Sequence, residues 1–343
     1  MRRPVKETMR LALIGAGGIG SEWVQALEDT KGVRLALIAD VSLKRAQALA
    51  NRFTSCEAVS DWQAATTHQD IDAVVVATPH AFLAPISYAA LVAGKHVLCE
   101  KPAGVNAKEI AKNIRMAAKK NLVYMVGFNH RYHPAFMKAK EIAQKGGIGE
   151  IDFVRARYGF GGRPGYGKEW RFKKEIAGGG EFMDQGMHMI DMARWFLGDF
   201  KTVYGFAENF FWRGDVEDNG FALMRTSSRK VASIHVSWTN WDWVHSFEVF
   251  GKEGYLLIDA LDQRYNGPER LVWGRRDKTF ARPTTKEYVF REEKKRDSMR
   301  RELEDFVRSV RSGKTTTQFP SGEDAEAAVR IVDKIYANHH GVS

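Results

Sequence analysis

The first 128 residues alternate between two periods. RLALI (10–14), VRLALIAD (33–40), IDAVVVAT (71–78), KHVLCE (95–100) and LVYMVGF (122–128) are short apolar runs with the look of strands, and stretches of helical spacing separate them at 21–28, 43–53, 83–93 and 107–119. IDAVVVAT is continuous rather than alternating, the pattern of a strand buried on both faces. Regular strand–helix alternation predicts a parallel sheet with right-handed crossovers. The expected α/β fold therefore starts with a doubly wound, Rossmann-type unit over residues 1–128.

Beyond residue 130 the pattern changes. A helix at 134–145 leads into IDFVRARYGF (151–160), then the glycine-rich basic stretch GGRPGYGKEWRFKKEIAGGG (161–180) and a helix near 181–197. Alternating runs follow at 202–211, 220–227, 231–239, 245–251 and 255–260, with short links such as SSRK (227–230) and GKEG (251–254). A last helix is expected from Gly322 to His339. Residues 129–343 thus read as an α+β domain built on a large, mostly antiparallel open sheet. Such a sheet has one face left over, so burial in a homodimer or homotetramer is expected.

Composition narrows the class. The chain has 343 residues, 44% hydrophobic and 27% charged, the balance of a soluble globular protein. No apolar run reaches the roughly 20 residues that cross a bilayer, and MRRPVKET lacks the apolar segment of a secretory signal. A cytoplasmic location, without membrane attachment, is expected. The two cysteines, Cys56 and Cys99, have neither disulfide nor zinc spacing. A net charge of +10 and a pI of about 9.4 invite nucleic acid as a partner. The basic residues are scattered, however, and the densest segment, REEKKRDSMRRELED (291–305), alternates in sign as a solvated helix face does. No nucleic-acid partner is expected.

Chemistry concentrates at three places. GAGGIG (15–20) lies between the first strand and the first helix, with Asp40 at the end of the second strand. Glycines at 15, 17 and 20 let the backbone turn tightly and approach a pyrophosphate at a helix N-terminus. Gly18 and Ile19 belong to the same loop. Asp40 is placed to accept from both ribose hydroxyls and to repel a 2′-phosphate, which favours NAD over NADP. Lys44 and Arg45 keep NADP open. Second, HVLCE stops at Glu100, Lys101 and Pro102, in the layer of carboxyl-terminal strand ends that also holds Thr78, Pro79 and His80. A surface Glu–Lys pair at a helix entry is the competing account of that tripeptide. Third, GGGEFMDQGMHMIDMARWFLG (178–198) sets Asp184, His188 and Asp191 at i, i+4 and i+7 on a helix otherwise apolar nearly all round. Buried carboxylates and an imidazole imply a proton-transfer dyad, a metal site or a hydrogen-bonded pair. A third metal ligand is not evident, and no metal is expected.

GAGGIG after the first strand, EKP at 100–102 and the GGG…D…H segment together resemble the Gfo/Idh/MocA family of sugar oxidoreductases, over about residues 9–339. The resemblance implies an NAD(P)-dependent oxidoreductase acting on a secondary alcohol of a sugar, sugar derivative or cyclitol. It implies that Lys101 is catalytic and binds substrate, with Glu100 orienting it, and that Asp184 and His188 serve proton transfer. The segment FNHRYHP (128–134) makes Asn129, Arg131 and His133 candidates for the substrate side. Trp170 and Arg171 are candidates to close over it. Arg163, Lys168, Lys173 and Lys174 make the same loop cationic, so the carbohydrate or cyclitol could be anionic. Trp238, Trp241 and Trp243 fit a core, an oligomer face or a sugar platform. Two other functions share these features: glycoside hydrolysis by transient oxidation with held NAD, and non-catalytic sensing of NAD(H).

Overall fold

The structure, a computed structural model, describes residues 8–261, 265–291 and 297–339. Most of the basic leader MRRPVKET (residues 1–7) and residues 292–296 of the charged segment lie outside that range. The chain divides into two compact units. One takes the described residues to Asn129 and returns for those between Asp297 and Glu326; the other takes His130 onward and resumes at Ala327.

The first unit runs β1 (Met9–Ile14), α1 (Gly18–Asp29), β2 (Val33–Ala39), α2 (Leu43–Ala50), β3 (Glu57–Val59), α3 (Trp62–Thr67), β4 (Ala73–Val76), α4 (His80–Val92), β5 (His96–Glu100), α5 (Ala107–Lys120) and β6 (Tyr124–Gly127). All strand pairs are parallel, in the order β3-β2-β1-β4-β5-β6. The direction of winding reverses between β1 and β4, and beyond the carboxyl ends of those strands an open sheet of this kind receives its ligand. The β-branched run of β4 explains its central place: Ala73, Val74, Val75 and Val76 are fully buried, as are Leu98 and Cys99 beside them in β5. Entry into α5 is fixed by a reciprocal cap, in which Asn106 Oδ1 accepts from Glu109 N at 3.0 Å and Glu109 Oε1 accepts from Asn106 Nδ2 at 2.9 Å.

In the second unit a 3-10 turn ending at Tyr132 leads into α6 (Pro134–Gln144), β7 (Ile151–Gly159), α7 (Lys174–Ala177), α8 (Met187–Leu197), β8 (Phe200–Glu208), β9 (Asn219–Thr226), β10 (Val231–Ser237), β11 (Val244–Gly251), β12 (Gly254–Leu261), β13 (Tyr265–Arg275) and β14 (Thr284–Phe290). The sheet order is β14-β13-β12-β11-β7-β10-β9-β8. Among the described residues only β7 and β10 pair in parallel; the other neighbours are antiparallel. Helices α6 and α8 cover one face. A buried ion pair pins α6 to β13: His133 Nδ1 meets Glu269 Oε1, and Glu269 Oε2 accepts from Ala135 N at 3.1 Å. The other face presents cross-strand pairs of large apolar residues, Tyr204 opposite Leu223 and Phe206 opposite Phe221, with Tyr204 65% exposed.

α9 (Asp297–Ser312) and α10 (Gly322–His339) close the chain. Helix α9 packs against α1 and buries the apolar residues Met299, Leu303, Phe306, Val307 and Val310, and Arg311 donates to Gly32 O at 2.8 Å. Beyond it, Pro320 O accepts from Val126 N at 3.0 Å, so residues 320–321 lie along the open edge of β6. The charged segment is thus more than a solvated face: within α9 the carboxylates of Asp297, Glu302 and Asp305 are buried. A single boundary at residue 128 does not foresee this return. No helix among the described residues is long and apolar enough to cross a membrane.

Candidate active site

The nucleotide loop begins where β1 ends. Gly15 N donates to Ala39 O at 2.8 Å, and Gly15 has φ +104°, a conformation that favours glycine. A Cβ there would stand 2.5 Å from Ala77 O, and one on Gly20 only 1.9 Å from Gly15 O. Both positions are fixed by the chain's own backbone. Gly17 and Gly18 differ: a Cβ on either meets no atom within 4 Å among the described residues. Ile19 follows, half exposed, on the first turn of α1. No side chain among the described residues caps that helix, and no acid occupies its first turn. Its N–H groups therefore remain available to an anion.

Asp40 closes the loop from the side. Its Oδ2 accepts from Ala16 N at 2.7 Å, and its Oδ1 accepts from Ser42 N at 2.8 Å and Arg45 Nη2 at 2.8 Å. Burial opposes ionisation of this carboxyl, but the two backbone N–H groups and the guanidinium prevail and hold it below its ordinary range. After β4, Thr78 Oγ1 is buried with no hydrogen-bond partner among the described residues. Pro79 caps the start of α4 and His80, buried, is its first residue. An open glycine cradle, an uncapped helix and an orphaned hydroxyl at the switch point fit a dinucleotide.

Glu100 ends β5. Its Oε1 accepts from Nε1 of fully buried Trp23 at 2.8 Å, and burial pushes the carboxyl up to about 7 against the opposing pull of Lys101 and of that bond. Lys101 follows, half-buried, joined to Pro102 by a cis peptide, and Ala103 N closes the turn onto Glu100 O at 3.0 Å. A surface Glu–Lys pair would have left the carboxylate solvated; instead it is anchored to α1.

In the second unit the expected uniform helix at 181–197 begins as a π-helical turn, Phe182–Gly186, in which Gly186 N donates to Glu181 O five residues back at 2.8 Å. The turn is locked from outside. Buried Glu217 accepts from Gly180 N at 2.9 Å, Phe182 N at 3.0 Å and Tyr336 Oη at 2.6 Å, and burial raises its carboxyl despite those bonds. Gly180 is required here because a Cβ would stand 1.8 Å from Glu217 O.

The three polar residues of this segment go to different surroundings. Asp184, in the π turn, accepts from Arg171 Nε at 3.1 Å and its side chain is 16% exposed. His188 is 8% exposed and lies against the His130 ring. Asp191 is fully buried and takes a bidentate bond from Arg131, Nε to Oδ2 at 2.8 Å and Nη2 to Oδ1 at 2.5 Å. Two expectations change accordingly. Arg131 is not a free substrate cation, because its guanidinium is buried on Asp191. Arg171 is tied to Asp184 and, through Nη1, to Glu169 at 3.1 Å, while its guanidinium also lies over the Trp170 ring. Asn129 stands, half-buried, at the start of the 3-10 turn that carries His130.

The basic loop compensates much of its own charge. Arg163 pairs with Glu169 at 2.7 Å, and Phe172 and Tyr166 sink into an aromatic core with Phe160 and Trp238. Lys168, Lys173 and Lys174 remain exposed. Trp238 is therefore core, Trp243 stacks on Phe160, and Trp241 is 63% exposed against Phe211. The sequence reading passed over His130, Glu217 and Glu269. His130 sits between two named candidates in FNHRYHP, but no spacing rule links it to a helix nearly 60 residues further on.

Comparison with known proteins gives the family. The oxidoreductase family with an NAD-binding Rossmann fold matches residues 9–128, and the GFO/IDH/MocA C-terminal domain matches residues 136–257. The chain belongs to the GFO/IDH/MocA oxidoreductase family. It is 28% identical to inositol 2-dehydrogenase of Rhizobium meliloti over 95% of both chains. A levoglucosan dehydrogenase of Pseudarthrobacter phenanthrenivorans is 38% identical over 169 residues, 49% of this chain and 43% of that protein. A solved levoglucosan dehydrogenase in complex with NADH and levoglucosan superposes with a TM-score of 0.88 at 26% identity, covering 97% of both chains.

The glycines separate two kinds of necessity. Gly17→Val should leave thermal stability near wild type while raising the Kd for NADH by about tenfold or more, measured by fluorescence titration. Gly20→Ala should lower the melting temperature as well, because its Cβ meets backbone. Undiminished NADH affinity in Gly17→Val would remove the loop from the cofactor site.

Proposed function

We propose that this chain is an NAD-dependent dehydrogenase or reductase that interconverts a secondary alcohol and a ketone on a sugar or cyclitol. The observation that carries the reading is the glycine cradle, open at Gly17 and Gly18, in a chain whose β5 ends in an anchored Glu100 followed by Lys101. Relatives named for levoglucosan and inositol support the substrate class. Gly15 to Gly20 and Asp40 would hold the dinucleotide, with Thr78, Pro79 and His80 lining the reacting end. Bound NAD supplies the acceptor for a hydride from the carbinol carbon.

The chain's own residues manage the remaining proton and charge. His188 accepts the hydroxyl proton. The Lys101 ammonium is assigned the stabilisation of negative charge that develops on the substrate oxygen. Glu100, anchored on Trp23, limits the positions available to Lys101. Asp184, paired with Arg171, keeps a carboxylate near the helix start that carries His188. In the reducing direction His188 returns the proton and the same lysine polarises the ketone. Because Arg163 and Arg171 are spent on carboxylates, a neutral polyol is the better match than an anionic one.

Asp40 favours NAD. Its carboxylate already binds Ala16 N and Arg45, and a 2′-phosphate beside it would be repelled. The apolar outer face around Tyr204, Phe206, Phe221 and Leu223 is read as the surface covered in a homodimer or homotetramer.

Lys101→Met and His188→Ala should each lower turnover of levoglucosan or inositol by about a hundredfold, with NADH affinity retained. Near-normal turnover in both would withdraw the assignment. With wild-type protein, kcat/KM for NADP should lie about tenfold or more below that for NAD, since a phosphate must displace or face Asp40. Equal values would sink the Asp40 reading. Light scattering should find a dimer or tetramer, and Leu223→Arg should shift it toward smaller species; a monomeric wild type would remove the surface assignment.

A further inference from the structure

The His188 ring does not stand alone in the second unit. Its centroid lies 4.0 Å from that of His130, with the ring planes 10° apart, a parallel stack at contact distance. His130 is itself boxed in. Phe136 of α6 lies nearly parallel to it at 6.1 Å; Tyr158 of β7 meets it edge-on at 5.3 Å, His133 at 5.6 Å and His245 of β11 at 5.8 Å. His130 is 2% exposed, so its plane is set by the rings packed around it rather than by solvent. Turning the His188 ring on edge would drive its atoms into that fixed neighbour.

The surroundings also control charge. Among the rings that touch His130 and His188, Tyr158, His133 and His245 can titrate. His133 is neutralised by Glu269 and Arg131 by Asp191. Burial, then the neighbouring His133, drives His245 down to about 3, so that ring is neutral at working pH. Two positively charged rings 4.0 Å apart would repel strongly, so the contribution of His130 is read as stacking alone.

We infer that His130 is a positioning residue: its ring is a fixed plate that holds the His188 imidazole in one orientation, and it acts by stacking, without taking the proton itself. The inference rests on the reading of His188 as proton acceptor. It assigns a role to a ring of the FNHRYHP segment that stacks face to face on His188.

The test compares His130→Phe, which keeps a flat ring without a titrating nitrogen, with His130→Ala and His130→Gln, which remove the ring. Turnover with NAD and levoglucosan or inositol should stay within about threefold of wild type for Phe and fall about tenfold or more for Ala and Gln, in kcat rather than in KM for NAD. A second readout needs no substrate. In histidine-labelled NADH-bound protein, the His188 ring-proton resonance, identified by its loss in His188→Gln, should be displaced upfield by the stacked ring in wild type and Phe, and lose that displacement in Ala and Gln. If Ala fails to fold, Gln and Phe decide the matter. Wild-type kcat in Ala or Gln overturns the inference. So does a Phe variant as impaired as Gln, which would give the His130 nitrogens a chemical task. If His188→Gln itself turns over normally, the base assignment fails instead, while the resonance shifts still report whether the plate exists.

Discussion

Everything in the nucleotide-binding unit hangs on backbone meeting backbone without a side chain between. The turn after β1 passes so close to Ala77, and α1 so close to the turn, that Gly15 and Gly20 have no room for a Cβ. That approach brings the ends of β1 and β4 side by side at the point where the winding reverses, and it aims the uncapped start of α1 into the gap. Asp40 completes the constraint by binding Ala16 N, so the end of β2 and the loop move as one. The residues proposed for the site then follow a row of strand ends, with Thr78, Pro79 and His80 after β4 and Lys101 after β5.

The second unit solves a different problem, the burial of polar groups in an apolar setting. It does so by local neutralisation. Arg131 on Asp191, His133 on Glu269, and Glu217 on two N–H groups and a phenol are each buried and each matched. Removing one partner of such a set leaves the other without solvation, which typically costs several kcal/mol. These pairs hold the 3-10 turn before α6, the GGG turn and the π-helical entry to α8 in fixed register. The polar segment of α8 is thereby positioned by the chain's own contacts.

Much of this was legible in the residues. The β-branched runs and the strand–turn–helix setting of GAGGIG gave the first sheet and its NAD-binding class. The alternating runs after 200 gave the second sheet. What escaped has physical reasons. β3 has only three residues and lies on an edge, so it carries little pattern; β13 is interrupted by glycine and proline; β14 is largely exposed and reads as polar. The helix around Asp184 was expected to place Asp184, His188 and Asp191 on one face, but a π turn changes the phase, and nothing in local composition announces it. Arg131 looked available because a buried guanidinium and an exposed one have the same letter. Its partner, sixty residues away, is visible only in three dimensions. The role proposed for Lys101 rests on family resemblance; position alone leaves it in balance with a surface pair.

The return of α9 to the first unit bears on how this protein can be divided. Cutting the chain after β6 would strip α9 from α1 and take residues 320–321 off the free edge of the parallel sheet. The remaining fragment would carry an intact glycine loop on a half-dressed scaffold, with a sticky helix flank and an unprotected strand ready to pair with other molecules. A self-sufficient nucleotide-binding piece must include the stretch from Asp297 to Glu326, grafted back by a linker. In this protein the gene order of the halves and their physical boundaries are two different maps.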